Sequence, residues 1–199
     1  LLYLKMSERR GSRLAYNSGS AGAQLSGYYA RSCKMELSGP IANDDINRAV
    51  CFEPKTLPRI DLKYDSDLAS QDDDRHFSIE VWAKVLGSEN VERVVLMNGR
   101  YMLSASREDR WKLTLFSDLT EVSVMGPSIE LNKWYHLVGT YDGTMARLWV
   151  NSELIKSVEV KPMIELQRDA IQQNREEDEE KLKLIEQRAR DSCKRQTDE

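Results

Sequence analysis

The sequence predicts an all-β domain, a two-sheet antiparallel sandwich, followed by a charged α-helical extension. Apolar and polar residues alternate over residues 77–85, which is the period of a strand with one buried face. Further short apolar runs are separated by turn residues, a spacing typical of β-sandwiches. After Pro162 the chain lacks Gly and Pro and is rich in Glu, Gln, Lys, Arg and Leu, which favour helices.

The remaining strand candidates share this apolar alternation. They are residues 49–52, 59–64, 93–97, 101–105, 111–116, 120–124 and 134–151. Asn98-Gly99 stands between two of these runs and predicts a hairpin, and Asp142-Gly143 predicts a second one. The alternation alone allows either a jelly roll or an immunoglobulin-like topology.

The helical extension is predicted to begin near Met163 and to project from the sandwich. Pairs of opposite charge at i and i+4, such as Glu177 with Lys181, support it by about 0.2–0.5 kcal/mol each. Residues 172–181 carry no apolar side chain, so no coiled-coil seam is expected. We expect only the first turns to dock on the sandwich, through four apolar residues: Met163, Ile164, Leu166 and Ile171.

Charge and hydropathy limit the function classes. The 199 residues carry a net charge of −4, and residues 165–199 account for −3, with eleven acidic side chains against eight basic ones. The remainder is nearly neutral and has no basic stripe, so we expect no nucleic-acid partner. No apolar run approaches about 18 residues, so we expect no membrane insertion by this chain.

Cysteine usage bears on the cellular compartment. Cys33, Cys51 and Cys193 are widely spaced and form no CxxC motif, which favours reduced thiols and a cytosolic setting. No histidine neighbours Cys33 or Cys51, so we expect both to be inert. The absence of N-glycosylation sequons agrees with that setting. Because the chain begins at Leu1, we expect it to be a segment of a longer protein.

The tryptophans could pack in a core or stack on sugars. We predict core positions for Trp82, Trp134 and Trp149, together with Leu148 and Val150. The alternation of its strand also allows Trp82 to lie on the outer face of the sheet, opposite the Phe, Ile and Val residues of the same strand.

Candidate catalytic groups are few. His136 has no nucleophile beside it in its strand, which favours a structural role over that of a general base. Glycoside hydrolysis needs two carboxyl groups about 5–9 Å apart, and Glu80 stands alone in its strand. The two histidines and scattered cysteines give no zinc-ligand spacing. We therefore expect no enzymatic activity from this chain, no catalytic residues and no required cofactor.

The loop at residues 65–74 holds five aspartates and is the one candidate metal site. Asp65 and Asp67 are its candidate ligands for Ca²⁺, because hard cations take carboxylate and carbonyl oxygens. The loop lacks the Gly and terminal Glu of an EF-hand. A solvated acidic loop is the favoured interpretation, with Ca²⁺ as an optional ligand.

Two separated segments resemble laminin-G-like (concanavalin A-like) jelly rolls. They are FSIEVWAKV at residues 77–85 and NKWYHLVGTYDGTMARLWVN at residues 132–151. The family pattern is a strand like FTIEAWVK, then W-x-H-V-x-x-T-Y-D-G and L-Y-V-N-G. The resemblance implies a jelly roll over residues 14–160, between an N-terminal segment at 1–13 and a charged helical tail at 161–199. Many such domains carry a calcium ion at the rim.

The combination of this module with the acidic tail NREEDEEKLKLIEQRARDSCKRQTDE resembles the cytosolic arm of the defective kernel phytocalpains, a family of plant calpain-type cysteine proteases. The resemblance implies a regulatory module on the cytoplasmic face of a plasma-membrane or endomembrane protein. Its partners would be the adjacent protease core or linker of a calcium-dependent endopeptidase, or other proteins. The alternative is a lectin-like module that binds carbohydrate or calcium.

Overall fold

The computed structural model describes residues 1–30, 33–44, 46–53, 58–62, 76–116 and 121–160. Within these ranges the regular structure is antiparallel strands and one single-turn 3₁₀ helix, which confirms the all-β class. The chain divides into two compact units, Leu1–Asp74 and Arg75–Glu199. The predicted helix at 161–199 and the aspartate loop lie outside the described residues.

The first unit contains two small antiparallel sheets. One has the strand order β1-β2-β5, and in the other β3 pairs with β4. Their bounds are β1 Leu14–Ala15, β2 Gly27–Ala30, β3 Lys34–Ser38, β4 Arg48–Cys51 and β5 Arg59–Asp61, with the 3₁₀ turn at Ala23–Leu25. The strands predicted near residues 49–52 and 59–64 are present as β4 and β5.

The described residues of the second unit, 76–116 and 121–160, form two four-stranded antiparallel sheets. The first sheet has the order β10-β9-β8-β7, and the second has the order β13-β12-β11-β6. The first sheet consists of β7 Arg93–Met97, β8 Tyr101–Ala105, β9 Arg110–Phe116 and β10 Glu121–Ser128. The second consists of β6 His76–Lys84, β11 Trp134–Asp142, β12 Met145–Val150 and β13 Glu153–Glu159. The last of these strands had no counterpart among the sequence-based predictions.

The two sheets of this unit share one apolar core, as a jelly-roll sandwich requires. Trp111 and Leu113 of β9 and Leu137 and Leu148 of the opposite sheet are all fully buried. Burying side chains of this size stabilises the fold by about 1.5–3 kcal/mol each. The sheets approach so closely that a Cβ atom added at Gly139 would lie 3.0 Å from Leu113 Cδ1. The sandwich prediction is confirmed for this unit.

Both predicted hairpin turns are present. At the first, the Asn98 side-chain oxygen accepts hydrogen bonds from the backbone N–H groups of Arg100 at 2.8 Å and Tyr101 at 2.9 Å. At the second, Gly143 has a φ of 87°, a conformation that favours glycine at the first central position of a hairpin turn. Two residues, Gly143 and Thr144, join β11 to β12 there.

Asp142 stabilises the second turn through its carboxylate. Its Oδ1 atom accepts hydrogen bonds from the backbone N–H groups of Met145 at 2.7 Å and Thr144 at 3.1 Å, and Arg147 pairs with Oδ2. The Met145 N–H, then Arg147 and then the Thr144 N–H lower the pKa of Asp142 to about 2. These partners favour the ionised carboxylate in the folded chain.

We expect the free energy of unfolding of the Asp142→Asn variant to fall less between pH 5 and pH 2 than that of the unsubstituted chain. Because the folded-state pKa is depressed, the ionised group stabilises the fold above its unfolded pKa of about 3.9 and stops doing so as the pH falls toward 2. Urea midpoints measured at steps between pH 5 and pH 2 provide the test. Glu153→Gln, in the same sheet, is the matched control, and identical slopes for Asp142→Asn and the unsubstituted chain would contradict the assignment.

Candidate functional site

The outer side of the second sheet carries a cluster of aromatic side chains. We call it the tryptophan face and define it by six residues that point away from the core: Trp82, Lys84, Trp134, His136, Trp149 and Leu154. Trp82 is 49% exposed and Leu154 is 48% exposed. Four strands present these side chains, so their backbone positions are held by the hydrogen bonds of the sheet.

The alternation of β6 decides which residues reach this face. Ile79 is buried and Val81 is packed against the core, whereas Glu80 and Trp82 are exposed on the opposite side. The pairing with β11 then places Trp82 beside His136 and Lys84 beside Trp134. Because side chains alternate along a strand, none of these outer residues could turn inward without moving the core residues outward.

Contacts across β6 and β11 order one half of the face. The Trp82 and His136 rings stack with centroids 4.9 Å apart and planes inclined by 29°. His136 Nε2 lies 2.8 Å from Glu80 Oε1, and the Lys84 ammonium lies 4.8 Å from the centroid of the Trp134 ring. Stacking and cation–π contacts of this kind fix the rings while leaving apolar surface accessible.

The other half of the face extends over β12 and β13. Trp149 is paired with Val138 of β11 on one side and with Leu154 of β13 on the other. Aromatic and aliphatic side chains in directly paired positions touch across a sheet. The apolar surface therefore continues from the Trp82 edge of the sheet to the β13 edge.

The prediction of core positions for Trp134 and Trp149 is wrong, and of the two positions that the sequence allowed for Trp82 the structure shows the outer face. Trp82 is about half exposed, and the other two are only partly buried. Leu148 and Val150 are buried as predicted, and the fully buried tryptophan is Trp111. The alternation of side chains along β6 explains the exposure of Trp82, because Ile79 and Val81 occupy the inner positions of that strand.

Glu80 and His136 form a pair that the sequence did not indicate. They are 56 residues apart, and only the β6–β11 register brings them within hydrogen-bonding distance. The His136 backbone N–H also donates to Asn151 Oδ1 at 3.0 Å. Among the described residues, the imidazole contacts the Glu80 carboxylate and the Trp82 ring.

Polar side chains of the first sheet are engaged with one another. Ser104 is fully buried and its hydroxyl donates to Glu92 Oε1 at 2.8 Å. Lys112 Nζ lies 3.6 Å from Glu92 and 3.4 Å from Glu121. Ser104 is buried whereas Glu121 is about half exposed, and the mutual contacts of the network leave few of its groups for a ligand.

A second charged cluster joins two turns of the same unit. Arg93 donates from Nη1 to Gly87 O at 2.6 Å and from Nη2 to Ser106 O at 3.1 Å, and it also pairs with Asp109. The Ser88 hydroxyl, followed by Arg93, lowers the pKa of Asp109. These contacts tie the first residue of β7 to the two loops, so we assign the cluster a structural role.

The candidate metal ligands Asp65 and Asp67 lie outside the described residues. Within the part of the chain that the structure describes, no three His, Cys, Asp or Glu residues converge as metal ligands would.

Cys33 and Cys51 are half-buried. Burial, followed by the neighbouring Cys51, raises the pKa of the Cys33 thiol. A raised pKa disfavours the reactive thiolate. No described helix is long and apolar enough to cross a membrane.

Comparison with known proteins gives a family for the chain. No individual characterised protein matches it significantly. Residues 62–172 match a laminin-G family model described as the concanavalin A-like lectin/glucanases superfamily. The matched region contains both four-stranded sheets and the whole tryptophan face, and it spans more than half of the chain. The chain therefore belongs to the concanavalin A-like lectin/glucanases superfamily.

Proposed function

We propose that this chain is a non-catalytic interaction module that regulates a larger protein through domain contacts. The observation that carries the proposal is the tryptophan face, a rigid and partly exposed aromatic surface. Tryptophan is enriched among the few residues that dominate protein–protein binding energy. Trp82, on the edge strand β6 of this face and 49% exposed, is its candidate anchor.

The parent protein that we propose is a membrane-anchored, calcium-dependent calpain-type cysteine protease. The resemblance of the module and its acidic tail to the phytocalpain family supports this parent. The module would then lie on the cytoplasmic side of the membrane and contact the protease core or its linker. Residues 161–199 would form a charged helical spacer that sets the distance between the module and its neighbour.

The arrangement of the face suits regulation by contact. Trp82 and Trp134 offer large apolar surfaces whose rings are held by His136 and Lys84, so little side-chain entropy is lost on binding. Charged groups stand beside the rings, including Lys84 and Glu80. An apolar centre with a polar border is the usual anatomy of an interface between folded domains.

Substituting Trp82 tests this proposal. We expect Trp82→Ala to weaken binding of the chain to the isolated protease core and linker by about 30-fold, which corresponds to a hot spot of about 2 kcal/mol. Titration calorimetry with both variants provides the measurement. Val94→Ala is the matched control, since Val94 is an exposed apolar residue, at 52%, on the other sheet. Unchanged affinity of Trp82→Ala would contradict the proposal.

A lectin-like module is the second candidate function. The partly exposed Trp82 ring favours it, because sugar rings stack on exposed aromatic faces. Saturable glycan binding by the chain, lost in Trp82→Ala and kept in Val94→Ala, would support this candidate over the first. Absence of glycan binding together with protein binding would support the interaction module.

We expect calcium to be dispensable for folding, because the sandwich has a continuous apolar core. Thermal melts in calcium and in chelator should therefore coincide. A ligand at about 100 times its Kd raises the free energy of unfolding by about 2.7 kcal/mol. A shift of that size, abolished when Asp65 and Asp67 are both replaced by Ala, would instead establish a calcium site in the loop.

A further inference from the structure

We propose that this chain pairs with a second copy of itself along the open edge of β6, antiparallel and in register about Trp82. The pairing would join two four-stranded sheets, one from each copy, into a single continuous sheet. It depends on the second unit alone and does not rest on the function proposed above. Its basis is the open edge of a regular strand, the order of charges along that strand and the exposure of the side chains involved.

β6 is the terminal strand of its sheet. Within the part of the chain that the structure describes, the order β13-β12-β11-β6 ends at β6, so one edge of β6 has no neighbouring strand. On its other edge, β6 pairs with β11 over nine residues without a bulge. A regular open edge presents a row of unpaired backbone N–H and C=O groups, whose complement is another extended strand. The backbone of β6 therefore specifies a strand as the occupant of this edge.

The charges along β6 favour β6 itself as that strand. Glu80, Trp82 and Lys84 occupy alternate positions, so they lie on the same outer side of the strand. In an antiparallel pair of two copies centred on Trp82, each Glu80 lies opposite Lys84 of the other copy. The two Trp82 side chains then lie opposite each other. Opposite charges and aromatic rings in directly opposed positions both stabilise an antiparallel pair.

The inner side of β6 is compatible with the same register. Val81 would lie opposite Ala83 of the other copy, and Ile79 would lie opposite Val85. Ile79 and Val85 are buried in the core, and Val81 and Ala83 pack against it. The apolar row of one copy would therefore continue into the apolar row of the other, with no charged group placed on the core side.

The outer side chains are accessible to a second copy. Trp82 is 49% exposed, and the side chain of Glu80 is 67% exposed. Glu80 Oε1 lies 2.8 Å from His136 Nε2, and among the described residues Oε2 has no hydrogen-bond partner. The Lys84 ammonium lies 4.8 Å from the centroid of the Trp134 ring and carries three N–H donors. Both members of the proposed charge pair therefore keep hydrogen-bonding capacity for the other copy.

β13, at the other end of the same sheet, lacks these properties. Its pairing with β12 has a register shift between Leu148 and Trp149. Self-pairing about its middle residue would place Lys156 opposite Lys156, and Glu153 opposite Glu159. Like charges in directly opposed positions destabilise an antiparallel pair. Of the two end strands of this sheet, β6 is therefore the one suited to a second copy.

Self-pairing would also join two tryptophan faces into one surface. The two Trp82 side chains would lie side by side at the junction, and each face would continue from there over β11 and β12. A partner with two matching sites would gain avidity without any new kind of contact. This consequence rests on the function proposed above, whereas the pairing of the strands does not.

Sedimentation equilibrium of the full chain over a concentration series tests the self-pairing. We expect a reversible equilibrium between monomer and dimer, because one strand pair buries less than the roughly 1,600 Å² of a standard interface. The mass of a single chain at every concentration would overturn the proposal, and so would a discrete oligomer larger than a dimer.

Charge reversal on β6 makes the test specific to the proposed register. Glu80→Lys and Lys84→Glu should each raise the dimer Kd by about tenfold, because each dimer loses two opposite-charge pairs and gains two like-charge pairs. The double variant restores the opposite-charge pairs, so its Kd should return to within about twofold of that of the unsubstituted chain. Glu153→Lys, on β13, is the matched control and should leave the Kd unchanged.

Recovery in the double variant reports contacts between chains, because the bond between Glu80 and His136 is lost there as well as in Glu80→Lys. A double variant that stays weak would overturn the proposal, and so would equal Kd values for Glu80→Lys and Glu153→Lys. Amide hydrogen exchange over residues 77–85 should slow as dimer forms, and unchanged exchange would contradict pairing along the edge. No partner protein is present, so a monomeric chain would leave the Trp82→Ala binding test of the proposed function standing.

Discussion

The pairing of β6 with β11 is the constraint on which the rest of the second unit depends. Nine consecutive residue pairs, from Trp134 with Lys84 to Asp142 with His76, run without a bulge. This register sends Ile79 and Leu137 into the core and Trp82 and His136 to the outside. A shift by one residue would exchange the two faces of the strand, exposing the core residues and burying Glu80 and Lys84.

Features that depend on residues close together in the sequence were predicted correctly. The Asn98-Gly99 and Asp142-Gly143 turns, the positions of the central strands and the two-sheet sandwich all depend on short-range patterns, and all are present. The strand at Glu153–Glu159 was missed because its apolar residues do not alternate cleanly, and the structure shows a register shift there between Leu148 and Trp149.

The candidate site was harder to predict because it depends on long-range register. Trp82 was predicted in the core by its size and hydrophobicity, although the alternation of its strand also allowed the outer face. Pairing of Glu80 with His136 requires knowledge of which residues face each other across strands far apart in sequence. Hydrophobicity alone cannot separate Trp111, which is fully buried, from Trp82, which is half exposed.

The two faces of the second sheet therefore have different roles: the inner face forms the core, and the outer face presents side chains for binding. Its inner face holds the sandwich together, which leaves the outer aromatic side chains free of a role in the core. Side chains that are positioned by the sheet but do not line its core are suited to binding, since a partner gains apolar contact at small entropic cost. We regard this separation as the physical basis of the proposed interaction module.

An alanine scan through β6, with the free energy of unfolding as the readout, tests the assignment of the two faces most directly. We expect a loss of about 2–5 kcal/mol for Ile79→Ala, because its side chain is buried between the sheets. We expect changes below about 1 kcal/mol for Ser78→Ala and Glu80→Ala, which lie on the outer face. A scan without this alternation, or with the larger losses at residues 78 and 80, would contradict the register from which the tryptophan face is built.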